Sequence, residues 1–188
     1  VSTVAVSEAS GARSITEIGA ESVAHWPSGI TEFDRVLGGG VVPGAAILLS
    51  GEPGVGKSTL LLEVASRAAA SGQRVLYVTA EESVSQVRLR AERTNALHPS
   101  LFLAAETDLG TILGQIDHVK PQLVIVDSVQ TVASAATEGI AGGPSQVREV
   151  ASTLIRVSKD QNLPILLVGH VTKDGTIAGP RLLEHLVD

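Results

Sequence analysis

In the run Gly51-Glu52-Pro53-Gly54-Val55-Gly56-Lys57-Ser58-Thr59, two glycines, a lysine and a hydroxyl stand at the offsets G-x-x-x-x-G-K-[ST]. This spacing suits the grip of a nucleoside polyphosphate. Gly51, Gly54 and Gly56 permit backbone bends that a Cβ would penalise, so successive amides, those of Glu52, Pro53's neighbours and Val55 among them, can turn inward on phosphate oxygens. The phosphates would then lie on a helix start, where unpaired N–H groups and the positive end of the dipole favour anions. Lys57 is placed to reach the β and γ phosphates, the Ser58 hydroxyl to ligate Mg²⁺, and Thr59 to support them. The alternative is a glycine-rich turn with a solvated lysine.

Other residues for chemistry stand where apolar runs end. Asp127 closes Leu123-Val124-Ile125-Val126 and has the form of the acid that holds Mg²⁺ through its water shell, or else of a helix-capping aspartate. Glu81 and Glu82 follow a second run. Hydrolysis needs one carboxylate to orient and deprotonate water, and neighbours at a strand end point apart, so only one can face a γ phosphate. Glu81 is the expected base. Both could instead simply open the next helix, where acidic residues suit the dipole. His170 ends the last full run and is placed either to sense a γ phosphate or to serve structure; Lys173 and Arg181 either contact phosphate or are solvated.

The elements that must position these residues are legible in the pattern. Residues 45–50, 75–79, 101–103, 123–127 and 164–169 read as strands, the first and fourth as buried ones. Helices are expected over 58–71, over 83–93 with Ser83 as cap, over 108–119 ended by Pro121, and over 145–160 along the stripe Val147, Val150, Ala151, Leu154 and Val157. A short helix is expected over 31–37, stopped by Gly38-Gly39-Gly40. Residues 1–25 read as a flexible lead-in or linker, with order beginning near Trp26; 134–145, rich in Gly, Ala and Ser, reads as a mobile loop, and 171–179 as a loop. Strands alternating with helices give an α/β fold, a mainly parallel twisted sheet with helices on both faces and its site beyond the carboxyl ends of the strands.

The 188 residues suit one domain, and 44% are apolar with one Trp, one Tyr and two Phe, a branched-aliphatic core of the kind parallel sheets use. The absence of cysteine excludes a disulfide framework and Cys-ligated zinc among these residues. A net charge of −6 argues against a broad nonspecific nucleic-acid surface, though not against a local basic patch. No run is long enough to span a bilayer and residues 1–12 lack the features of a signal peptide, so a cytoplasmic protein with no membrane partner is expected. A first residue other than Met and a last residue inside an apolar run read as an excised fragment.

Taken together, SGITEFDRVLGGGVVPGAAILLSGEPGVGKSTLLLEVA, YVTAEES, LVIVDSVQT and LLVGHVTKDGTIAGPRLLEHLVD resemble the bacterial RadA/Sms family of DNA repair ATPases in the RecA superfamily. The resemblance runs from about Trp26 to Asp188 and implies a RecA-like ATPase domain over 26–188. It further implies Mg²⁺-dependent ATP hydrolysis, a homo-oligomeric ring or filament, and work on single-stranded or branched DNA in recombination and repair, branch migration included. By position Gly51 to Thr59 matches the family's Walker A motif, Asp127 its Walker B acid and Glu81 its catalytic glutamate. His170 matches a γ-phosphate sensor, and loops 134–145 and 171–179 fall where relatives face DNA. The family's four-cysteine zinc module, its Lon-like C-terminal domain and its Lys-Asn-Arg-Phe-Gly motif are not in this sequence, so zinc is expected only in that missing module and the chain reads as an isolated core. Two other readings remain: an assembly module in which ATP joins subunits and hydrolysis is incidental, and a clock-type autokinase.

Overall fold

Five β-branched or aliphatic runs form the sheet: β1 (Ala46–Gly51), β2 (Val75–Thr79), β3 (Leu101–Ala105), β4 (Leu123–Asp127) and β5 (Ile165–His170). Between them lie α1 (Lys57–Ala70), α2 (Val84–Arg93), α3 (Leu109–Val119) and α4 (Pro144–Gln161), with a 3₁₀ turn at Val129–Thr131. This computed structural model describes residues 2–9, 11–17, 44, 46–51 and 57–170. Glu52, Pro53, Gly54, Val55 and Gly56, the short helix expected over 31–37, the loop over 171–179, Lys173 and Arg181 lie outside the described residues. Residues 2–9 and 11–17 carry turns and no helix or strand.

All pairings are parallel, in the order β1-β5-β4-β2-β3. Strands β2, β4 and β5 are apolar without alternation because both faces are covered. On one face Leu76, Val78, Val124, Val126, Ile165 and Leu167 pack with Ile112 and Ile116 of α3 and Val147, Val150 and Leu154 of α4. On the other, Val75, Tyr77, Leu123, Ile125, Leu166 and Val168 pack with Leu61, Leu62 and Ala65 of α1 and Val87 of α2. Side chains alternate along a strand, so Asp127, two residues past Ile125, and His170, two past Val168, belong to the α1 face. Register brings these ends together: Gly51 pairs His170, Asp127 pairs Val168 on one side and Thr79 on the other.

Helix ends follow their chemistry. The Ser83 side chain accepts from the Gln86 amide and the Gln86 side chain accepts from the Ser83 amide, a capping box that fixes where α2 begins. Asp108 caps α3 through the Thr111 amide, which holds its carboxyl below the usual aspartate value. Pro144, whose missing N–H costs nothing there, opens α4. Lys120 and Asn162 leave their helices with positive φ.

The stretch after β4 departs from an untethered loop. Gln146, in the first turn of α4 and almost fully buried, accepts from the Ser134 amide at 2.7 Å and donates to the carbonyls of Ser134 at 3.2 Å and Thr137 at 2.6 Å. Composition conceals this because one side chain, outside the apolar stripe, supplies the anchor. Gln146→Leu is expected to lower stability by about 2–4 kcal/mol, since it strands a buried amide and two carbonyls without partners. Denaturant unfolding checks the magnitude, and faster amide exchange at 134–139 than at α3 checks the cause.

Candidate nucleotide and metal site

Ser58 lies in the first turn of α1, which begins six residues after the end of β1, from Gly51 to Lys57. The Ser58 hydroxyl donates to Asp127 Oδ2 at 3.0 Å across the sheet end. The buried Tyr77 hydroxyl donates to the same oxygen at 3.2 Å, because Tyr77 and Asp127 share the α1 face of adjacent strands. Burial, then the Asp127 charge, then this hydrogen bond push the phenol far above its ordinary pKa, so Tyr77 is a committed donor.

With both donors on Oδ2, Asp127 Oδ1 is left buried and without a hydrogen-bond partner among the described residues. An acceptor-only oxygen in that state is costly unless something positive meets it. A hydroxyl and a carboxylate, all oxygen, are the donor set that Mg²⁺ selects. Ser58 and Asp127 therefore fit a magnesium site, and α1's N-terminal end beside them suits phosphate.

Glu81 and Glu82 diverge as neighbours at a strand end must. Glu82 is held by Arg90, whose Nη1 lies 2.8 Å from both carboxylate oxygens, and its backbone is fixed by the Thr79 hydroxyl. Glu81 turns the other way. Its Oε1 accepts from Ser128 Oγ at 2.7 Å and lies 3.0 Å from His170 Nε2, which in turn is 3.8 Å from Asp127 Oδ1. Glu81, Asp127 and His170 each offer an atom within 4.8 Å of the others. Gln130, in the 3₁₀ turn, donates to the His170 carbonyl at 3.2 Å and ties the turn after β4 to the end of β5.

Of the residues expected from sequence, Ser58, Glu81, Asp127 and His170 thus meet at one sheet end. Thr59 is exposed on α1 and enters none of these contacts, and Lys57 contributes the first residue of that helix. Tyr77 was missed, and Ser128 was given no role. Tyr77 had a signal, the one tyrosine of the chain set among aliphatic neighbours; Ser128 had only its place beside Asp127, to which it is joined by a cis peptide.

A family model described as "AAA domain" matches residues 13–176. The chain is 56% identical over 187 residues to the "DNA repair protein RadA" of Mycolicibacterium smegmatis, covering 97% of this chain and 40% of that protein. It is 55% identical to the protein of that name from Mycobacterium tuberculosis, covering 97% and 38%, and 50% identical to that from Listeria monocytogenes, covering 96% and 40%. The chain therefore spans about two fifths of the length of these relatives. Among the described residues no helix is long and apolar enough to cross a membrane.

Proposed function

We propose, given that this chain belongs to the AAA domain family of ATPases, that it is the Mg²⁺-dependent ATP-hydrolysing segment of a cytoplasmic DNA repair and recombination protein that assembles as a ring or filament. The observation that carries this reading is the meeting of Ser58, Asp127, Glu81 and His170 at the carboxyl end of a parallel sheet, beside a helix start. Relatives with the name "DNA repair protein RadA" supply the biological direction.

When bound, Mg²⁺ offsets the charge on the β and γ phosphates. Ser58 Oγ and Asp127 hold that ion, and Lys57 with the amides from Gly51 to Thr59 holds the phosphates. Glu81 Oε2, which takes no hydrogen bond from the described residues, is the oxygen available to orient water and receive its proton. His170 lies within reach of both acids and reports the γ phosphate to the residues that follow β5. Loops 134–145 and 171–179 are the DNA-facing segments in this reading.

The ATPase rate with and without single-stranded DNA, at two salt concentrations, tests it. Stimulation by DNA at low salt that falls steeply as salt rises is the expected result, since phosphate contacts release counterions. Equal rates with and without DNA at both salts would detach hydrolysis from DNA and leave an assembly module.

A further inference from the structure

Ser128 is fully buried, and its hydroxyl donates to Glu81 Oε1 at 2.7 Å. We infer that Ser128 is the positioning residue for Glu81: it fixes Oε1 so that Oε2 faces the attacking water. This rests on Glu81 acting as the base.

Proton accounting supports it. A serine hydroxyl has one hydrogen, and a carboxylate only accepts, so the 2.7 Å contact commits Ser128's hydrogen to Glu81. The other hydroxyl nearby does not compete. Thr131 spends its own hydrogen on the Ser128 carbonyl at 2.8 Å, which leaves the 3.3 Å approach of the two hydroxyl oxygens secondary. That same bond holds the 3₁₀ turn against the strand end, so the Ser128 side chain is presented from a fixed backbone.

His170 is the other neighbour of Oε1, yet the two differ in burial. The His170 side chain is part-exposed at the last residue of β5, whereas Ser128 is fully buried between Asp127 and a pinned turn. Ser128 therefore supplies Oε1 with a donor from a buried, fixed position. A glutamate that is 38% exposed and held at one oxygen keeps its second oxygen aimed; without the hydroxyl it samples solvent-facing rotamers and the near-attack geometry is diluted.

The test is steady-state and single-turnover ATP hydrolysis in the full chain for Ser128→Ala, Glu81→Gln and the double variant, with nucleotide affinity measured alongside. Ser128→Ala is expected to lower kcat about 10- to 30-fold while KM and affinity for ATP stay within about two-fold. In the Glu81→Gln background the same change is expected to add less than about two-fold, since the group it positions has already lost its function. Ser128→Cys keeps the volume and offers only a weak donor, so it is expected to fall between serine and alanine, and it stands in should alanine fail to fold. Equal losses in both backgrounds, or a raised KM with kcat unchanged, would overturn the positioning role. A fast Glu81→Gln enzyme would instead remove Glu81 as the base, a separate failure.

Discussion

Glu81→Gln is expected to bind ATP as tightly as the wild type and to hydrolyse it about 10²- to 10³-fold more slowly. The amide keeps the shape of the side chain and leaves a carbonyl oxygen to accept from Ser128, so the fold and the position are preserved. What it removes is basicity. The neighbouring acid supplies the internal comparison, because Glu82 points to Arg90 with two 2.8 Å contacts and has no contact with Asp127, Ser128 or His170 among the described residues. Glu82→Gln weakens a partly exposed ion pair, an effect of about 1 kcal/mol or less on stability, and should leave hydrolysis within about three-fold. Single-turnover hydrolysis together with equilibrium nucleotide binding separates the two variants. A Glu81→Gln rate equal to wild type would take this residue out of the chemistry, whatever its neighbours.

That comparison also marks where sequence reasoning reached and where it stopped. Parity and local chemistry were visible in single strings of residues: the aliphatic run ending in Asp127, the Ser83 cap, the glycine-lysine-serine spacing. Strand β2 and strand β4 lie where those strings place them, since buried parallel strands leave few polar residues to blur the pattern. β3 extends to Ala105, two residues beyond its expected end at Leu103, as alanines carry no strong strand signal and their pairing with Val78 and Thr79 comes from register instead. Contacts across the sheet were out of reach for the same reason. That Tyr77 meets Asp127 depends on β2 lying beside β4, although β3 separates them in sequence. That Glu81 and Glu82 diverge could be framed from strand-end geometry, but that Glu82 is the one held away depends on Arg90, eight residues past it and two helical turns into α2. Gln146 was hidden because a polar residue in the first turn of a helix is ordinarily solvated, and here it closes the loop instead.

Asp127→Asn should reduce Mg²⁺-dependent hydrolysis by about 10²-fold or more, while metal-free nucleotide binding and the fold are kept. Two hydroxyls decide how the amide settles. Ser58 and Tyr77 both donate to Oδ2, so the asparagine carbonyl must take that place, and the NH₂ group then occupies the position of Oδ1. The packing survives because each hydroxyl keeps an acceptor, whereas alanine would leave two donors unpaired near a strand of five buried residues. A cation at that position would face two N–H donors in place of an acceptor with a full charge. Raising Mg²⁺ cannot restore that, because the loss lies in the sign of the group and not in occupancy alone. A Mg²⁺ titration of the ATPase rate that stays low to saturation, with thermal unfolding near wild type, is the expected pair of results. Recovery of the wild-type rate at high Mg²⁺ would show that Asp127 only strengthens binding of the ion, and that the charge meeting the phosphates during the reaction is supplied by Lys57 and the amides of the glycine-rich turn.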